Sequence, residues 1–67
     1  MHNPKLAWPY TLIIDYDDEE HQKHFKTAYD AHVCIRELKV DPKCLSLDLY
    51  IDTDTHVLRL IDQWERK

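Results

Sequence analysis

The sequence contains no glycine among its 67 residues. Phosphate-binding loops, dinucleotide-binding turns and nucleophile elbows need a backbone that adopts positive φ or approaches a ligand closely, which glycine supplies. None of these motifs occurs in the chain. The lack of glycine therefore argues against nucleotide-dependent enzymes of the common kinds.

Cysteine and long apolar runs are also scarce. Only Cys34 and Cys44 are present, and no apolar stretch of the signal type occurs near residue 1, so we predict a reducing, cytoplasmic environment. No apolar run approaches the length that spans a membrane, so we expect no membrane association. The formal net charge of −4 disfavours nonspecific attraction to nucleic acid.

The length of the chain predicts one small domain with a single core. We predict an irregular N-terminal lead-in over residues 1–9 and one domain over residues 10–67. Domains of this size often rely on a disulfide, a metal or a partner subunit, because the gain from burial barely exceeds the conformational entropy lost on folding. We therefore expect association with a protein partner or with a second copy as a homodimer.

Two segments have the composition of strands. Cys44–Asp52 alternates strictly between two sets of side chains, which indicates a half-buried strand. Its core-facing set is predicted to be Leu45, Leu47, Leu49 and Ile51. Tyr10–Tyr16 is rich in β-branched and aromatic residues and is also predicted to be a strand.

A helix is predicted over Ala28–Lys39. The run from Thr27 to Asp30 fits a capping box, in which the Thr hydroxyl and the Asp carboxylate satisfy free backbone N–H groups. Pro42 stops the helix, because the residue before a proline is biased away from helical geometry.

The segment before this helix has two interpretations. We prefer a short strand over about His21–Lys26, joined to the first strand by a tight turn at Asp18 and Glu19. That turn sets Leu12 opposite Phe25. The alternative is a single long helix over residues 18–39, although residues 19–26 supply a poor apolar stripe for a helix.

The last hairpin is predicted from the short polar turn that follows Cys44–Asp52. A turn at Thr53 and Asp54 sets Leu49 opposite Leu58 and Leu47 opposite Leu60 on the inner face. The same register sets Asp48 opposite Arg59 and Tyr50 opposite Val57 on the outer face, and an opposite-charge pair across two strands is mildly stabilising. The alternative is a helix over residues 56–64, since apolar residues there also follow helical spacing.

The predicted fold class is α+β, in the order β-β-α-β-β, with one helix packed on one face of a mostly antiparallel sheet. The long-helix alternative corresponds to β-α-β-β. The predicted core comprises thirteen residues: Leu12, Ile14, Phe25, Ala28, Ala31, Ile35, Leu38, Leu45, Leu47, Leu49, Ile51, Leu58 and Leu60. One helix covers only one sheet face, so the other is expected to expose apolar residues among charges, as partner surfaces do.

The acidic run from Asp15 to Glu20 holds five carboxylates in six positions. Hard cations such as calcium take several oxygen ligands, but a calcium loop requires glycine and glutamate where Glu20 and Lys26 stand. We interpret the run as a solvated acidic turn that is also suited to docking on a basic partner.

No constellation of catalytic residues is predicted. His32 and Cys34 are two apart, so on a helix their side chains point in different directions, which separates a thiol from its base. A structural zinc site of Cys34, Cys44 and a histidine stays open as a minor alternative. We predict that the protein is not an enzyme and that it has no catalytic residues, no metal and no cofactor.

The function predicted from the sequence is a non-catalytic, acidic protein-interaction module that inhibits or regulates a larger protein or nucleoprotein. Phage anti-defence inhibitors and immunity proteins share this profile of size and charge. The protein partner is expected to present a basic groove, and nucleic acid is disfavoured. The predicted binding residues are Ile13, Asp15, Asp17, Asp18, Glu19, Glu20, Asp48, Tyr50, Asp52, Val57 and Ile61.

Two alternative functions would depend on other residues. A nucleic-acid-binding module would stack bases on Trp8, Tyr10, Tyr16 and Tyr50. An acidic mimic of nucleic acid would instead present its carboxylates to the nucleic-acid site of another protein. Its binding would weaken steeply with salt.

Overall fold

The computed structural model describes residues 8–53 and 57–67. They form four strands and one helix, namely β1 (Tyr10–Tyr16), β2 (Glu20–Phe25), α1 (Ala28–Lys39), β3 (Cys44–Asp52) and β4 (Leu58–Glu65). The sheet order is β2-β1-β3-β4, and every neighbouring pair is antiparallel. The predicted α+β class and element order are confirmed.

Both helical alternatives are wrong. Residues 18–27 contain β2 rather than the first turns of a long helix, and residues 58–65 form β4 rather than a helix. Most of the N-terminal lead-in predicted over residues 1–9 lies outside the described residues, as does Asp54 of the predicted second turn.

The helix begins where its capping residue predicts. Thr27 has extended backbone angles (φ −130°, ψ 155°), and its hydroxyl accepts a hydrogen bond from the Asp30 N–H at 3.1 Å. This bond satisfies one of the free donors in the first turn. The predicted bounds Ala28–Lys39 are confirmed.

The core lies between α1 and the two central strands. Leu12 and Ile14 of β1 and Leu47 and Leu49 of β3 are almost fully buried. Ala31 and Ile35 of α1 cover them. Half-buried side chains that include Phe25, Leu38 and Trp64 close the margin of this cluster.

The β1–β2 hairpin turns one residue earlier than predicted. The Tyr16 N–H donates to the Glu19 carbonyl at 2.8 Å, so the two turn residues are Asp17 and Asp18. Phe25 therefore lies opposite Tyr10, and the predicted pair with Leu12 is wrong. The shift of two positions keeps Phe25 on the helix side, since side chains alternate with period two.

A bulge at the start of β3 overturns the predicted position of Leu45. Asp15 pairs with Ser46 and Tyr16 with Cys44, which leaves Leu45 without a partner in the register. Because one extra residue reverses the alternation of faces, Cys44 is fully buried while Leu45 is 39% exposed.

The predicted register of the last hairpin is wrong, and β4 contains a bulge of its own. Leu49 pairs with Asp62 and Tyr50 with Leu60, so Ile61 is the extra residue. Leu58 and Leu60, predicted to be core residues, are 54% and 46% exposed.

The other pairs predicted across this hairpin are wrong as well. Asp48 lies opposite Gln63, and Arg59 lies opposite Ile51. The connection is also longer than two residues, because the Thr53 N–H donates to the Val57 carbonyl at 3.3 Å.

Arg66 fastens the end of β4 to the rest of the domain. Its Nε donates to the Cys44 carbonyl at 2.9 Å, and its guanidinium donates to the carbonyls of Lys39 and Asp41 at 2.9 and 2.8 Å. The guanidinium also lies 5.0 Å from the centre of the Trp64 ring. These bonds tie β4 to the end of α1 and to the loop that leads into β3.

Candidate interaction surface

The helix packs against β1, β2 and β3 on one face of the sheet. In the described part of the chain no element covers the opposite face, which we call the open face. Residues directly opposite each other on neighbouring strands share a face, so the register gives its composition. From β2 to β4 its rows are His24, Thr11, Tyr50 and Leu60; then Gln22, Ile13, Asp48 and Gln63; then Glu20, Asp15, Ser46 and Glu65.

At one end of the open face, the part formed by β3 and β4 is largely apolar. Tyr50 lies opposite Leu60, and the next pair along the hairpin is Asp52 with Leu58. Both leucines are about half exposed, and Val57 just before β4 is more exposed still. We call Tyr50, Leu58 and Leu60 the apolar end.

The other end of the open face is acidic. Glu20, Asp15 and Glu65 occupy three of its four positions across the sheet. The Ser46 hydroxyl donates to the Asp15 carboxylate at 2.7 Å and fixes its position. We call Glu20, Asp15, Ser46 and Glu65 the acidic end.

Thr11 and His24 complete the β2 side of the row that holds Tyr50. The Thr11 hydroxyl and His24 Nδ1 are 3.1 Å apart and hydrogen-bonded. Thr11 is only 9% exposed although it lies on the open face. This bond links β2 to β1 through side chains as well as through the backbone ladder.

The residues predicted to bind a partner do not form one patch. Ile13 and Asp48 lie side by side in the middle of the open face, and Asp52 lies opposite Leu58. Val57 immediately precedes β4, and Ile61 is the bulge residue. The structure therefore brings together Tyr50, Asp48, Ile13 and Asp52.

The predicted acidic turn is remote from the apolar end. Asp17 and Asp18 are exposed at the tip of the β1–β2 hairpin. With Glu19 they line an open depression whose other wall comprises Pro42, Lys43 and Leu45. Of the acidic residues that follow Asp15 in this run, only Glu20 lies on the open face, because it pairs with Asp15.

Sequence reasoning missed Leu58 and Leu60 as surface residues. The signal was the adjacency of Leu60 and Ile61, which breaks strict alternation and so marks a bulge. Helical spacing explains the same adjacency. Nothing in the sequence alone separates the two explanations.

The aromatic residues do not form a stacking platform. Tyr10 and Tyr16 pack against the core from the helix side, and Lys26 Nζ lies 4.8 Å from the centre of the Trp8 ring. Only Tyr50 of the four predicted aromatics lies on the open face. Base stacking would need several aromatics on one surface.

The two thiols are poorly suited to nucleophilic chemistry. Both are free, and burial raises the pKa of the Cys34 and Cys44 thiols above the ordinary value. Nearby Asp41 and Asp15 raise the Cys44 pKa further, against a lowering by Arg66. A raised pKa reduces the thiolate fraction at neutral pH, and the thiolate is the nucleophile.

Histidine and carboxylate side chains are dispersed. His21 lies opposite Ile14 on the helix side while His24 lies on the open face, since residues three apart on a strand point to opposite faces. The His21 Nε2 lies 3.2 Å from the Glu19 carboxylate, and its ring lies perpendicular to the Tyr16 ring with the ring centres 5.2 Å apart. Within residues 8–53 and 57–67, no three His, Cys, Asp or Glu residues are grouped closely enough to hold a metal ion.

Comparison with protein-family models, curated proteins and solved structures found no match. Among the described residues, no helix has the length and apolar character needed to cross a membrane.

Proposed function

We propose that this protein is a non-catalytic protein-interaction module that inhibits or regulates a larger protein. One observation carries the proposal: the open face joins an apolar end to an acidic end within a single sheet surface. Exposed apolar side chains beside charged ones are typical of surfaces that bind protein partners.

The arrangement also suggests the chemistry of the partner. Tyr50, Leu58 and Leu60 offer apolar contact, and Tyr is a frequent anchor residue at interfaces. Asp15, Glu20 and Glu65 lie across the same face, so basic side chains beside an apolar spot would complement it. A regulated protein with a basic groove fits this description.

The surroundings of the cysteines and of Arg66 favour the same proposal. Both thiols have raised pKa values, and the Arg66 guanidinium donates to backbone carbonyls. The two thiols and the guanidinium, which would otherwise be candidates for a catalytic role, therefore serve in packing and in holding β4 in place. The free thiols are in keeping with a reducing cytoplasmic compartment.

The test is capture of partners on immobilised protein, with two variants of matched chemistry. Leu60→Asp places a charge in the apolar end, and Val40→Asp places the same charge at an exposed site after α1. We expect the Val40→Asp variant to retain the partners of the native protein and Leu60→Asp to lose them. Equal retention by both variants would refute the open face as the binding surface.

A second candidate function, an acidic mimic of nucleic acid, is favoured by the acidic end together with Asp17 and Asp18 at the neighbouring hairpin tip. It predicts that binding to the captured partner falls steeply with salt and survives Leu60→Asp. Docking through the apolar end predicts the opposite on both counts. Titration of one captured partner at two salt concentrations separates the two functions.

A further inference from the structure

The outer side of β4 has no neighbouring strand among the described residues. An edge strand presents unpaired N–H and C=O groups that pair readily with another strand. Its exposed residues include Leu58, Leu60 and Ile61, which would gain from burial. The edge of β4 is therefore the part of the sheet best suited to accept a strand.

We propose that the strand accepted at this edge is β4 of a second copy of this chain, in antiparallel register with Leu60 opposite Leu60. This inference rests on the proposed function, because the β4 edge borders the open face that we propose as the binding surface. The argument is the placement of two opposite charges on β4, at Arg59 and Asp62.

The bulge at Ile61 places these two charges on one face. Arg59 lies opposite Ile51 and Asp62 lies opposite Leu49, and both of those positions are on the helix side. Residues three apart on a regular strand would point to opposite faces. Because Ile61 is the extra residue, Arg59 and Asp62 occupy the two positions that flank Leu60 in the register.

Self-pairing about Leu60 brings each charge opposite its counterpart. Arg59 of one copy then faces Asp62 of the second, and the two-fold symmetry repeats the pair. Moving the register by two positions in either direction places Asp62 opposite Asp62 or Arg59 opposite Arg59. Like charges directly opposite are destabilising, so charge complementarity selects the register about Leu60.

Both charges are available for this pairing. In the described part of the chain no hydrogen bond or ion pair engages the Arg59 side chain. The Asp62 carboxylate accepts only the N–H of its neighbour Gln63, at 2.9 Å. Both side chains are exposed.

The dimer would enlarge the proposed surface. Antiparallel pairing of two edges places both helices on the same side of a continuous eight-stranded sheet, so the two open faces also adjoin. Leu60 and Tyr50 of each copy would then form one apolar stripe across the centre, with the acidic ends outside it. A symmetric partner, or two copies of one partner, would fit this surface.

The test is a pair of complementary charge variants, with mass measured by light scattering after size exclusion over a concentration series. The native protein should reach twice its 8.1 kDa chain mass. Arg59→Asp and Asp62→Arg each place like charges opposite twice, so each should weaken dimerisation by about tenfold or more. When the two variants are mixed in equal amounts, each heterodimer contains two attractive pairs. Its affinity should therefore lie within roughly threefold of the native affinity.

The control is Lys23→Asp, which makes the same charge change as Arg59→Asp on the opposite edge strand and should leave dimerisation unchanged. A native protein that stays monomeric, or single variants that dimerise normally, would overturn the proposal, as would a mixture that fails to dimerise. A monomer would mean that the bulge protects the edge, as bulges do in many proteins. The capture experiment with Leu60→Asp would still test the proposed function by itself.

Discussion

The two edge strands of the sheet differ in how strongly their side chains discourage pairing with another strand. β2 has no aliphatic side chain, and all of its residues except Phe25 are exposed. β4 exposes Leu58, Leu60 and Ile61. Edge strands usually carry charges that discourage pairing with other chains, and β2 follows that rule while β4 departs from it.

The two edge strands also differ in the faces on which their charged residues lie. Each edge has an acid and a base three residues apart, Glu20 and Lys23 on β2 and Arg59 and Asp62 on β4. β2 is regular, so Glu20 lies on the open face and Lys23 on the helix side. In β4 the bulge places both charges on the helix side. The same spacing thus yields a self-complementary edge only where one residue is inserted.

The largest expected difference between the edges is in cross-linking between copies. We compare Leu60→Cys on β4 with Gln22→Cys on β2, both on the open face and both in a Cys34→Ala background. Directly opposite residues have Cβ atoms about 4.5–5.5 Å apart, close to the separation that a disulfide needs. Leu60→Cys should therefore convert mainly to a covalent dimer on mild oxidation, as measured on a non-reducing gel.

Gln22→Cys serves as the matched control and should remain mostly monomeric. Equal cross-linking at both positions would contradict the difference between the edges. Cross-linking at Gln22→Cys alone would assign self-association to β2.

The second largest effect concerns how β4 is held. Because α1 packs against the other three strands, β4 depends on its ladder with β3 and on Arg66. Arg66→Ala removes charged donors from the carbonyls of Cys44, Lys39 and Asp41 and should cost about 2 kcal/mol of unfolding free energy. Denaturant unfolding measures it.

Lys67→Ala, next to Arg66 and fully on the surface, is the control and should change the unfolding free energy by less than about 0.5 kcal/mol. If both variants unfolded alike, the bonds of Arg66 would not stabilise β4.

A smaller effect is expected at the β2 edge. Thr11→Val removes the hydroxyl that is hydrogen-bonded to His24 and should cost about 1 kcal/mol. A double-mutant cycle with His24→Ala isolates the pair, because two residues in contact are non-additive when their interaction stabilises the fold. Strict additivity would show that the backbone ladder alone holds β2.

The smallest expected effect is a pH dependence of the unfolding free energy, which arises in the core between the two edges. The pKa values of Cys34, Cys44 and Tyr16 are all raised, chiefly by burial. The folded state therefore resists ionisation of these groups. Their contribution is fully present below about pH 8.5, the ordinary cysteine pKa, and is lost as pH rises through the higher folded values.

The unfolding free energy should accordingly fall as the pH rises above about 8.5. In Cys34→Ala the fall should be smaller, since one of the three groups is removed. Parallel curves for the two proteins would mean that the Cys34 thiol contributes nothing to the alkaline loss.

Local signals in the sequence predicted most of the fold. The bounds of β1, α1 and β3 are as predicted, because alternation and the Thr27 cap are short-range features. The hairpin registers were wrong, because nothing local marks where a glycine-free turn closes. The predicted face of Leu45 was wrong because a bulge reverses every position beyond it, and the faces of Leu58 and Leu60 were wrong because the β3–β4 connection is longer than the predicted turn.

The candidate surface was predicted in part. Ile13, Asp15, Asp48 and Tyr50 lie on the open face as expected, since β1 and β3 are regular between the two bulges. Asp17 and Asp18 lie at the hairpin tip, away from the apolar end. Leu58 and Leu60 were assigned to the core, so the apolar end could not be recognised before the β3–β4 register was known.

Local patterns along the chain are sufficient to predict the class of fold and the order of its elements. These follow from composition and from periodicities of two and 3.6 residues, which are local properties. Which side chains share a face follows from the pairing of the strands in three dimensions. Face membership in a sheet depends on register, and register depends on turns and bulges, so the longer connection between β3 and β4 places Leu58 and Leu60 on the surface rather than in the core.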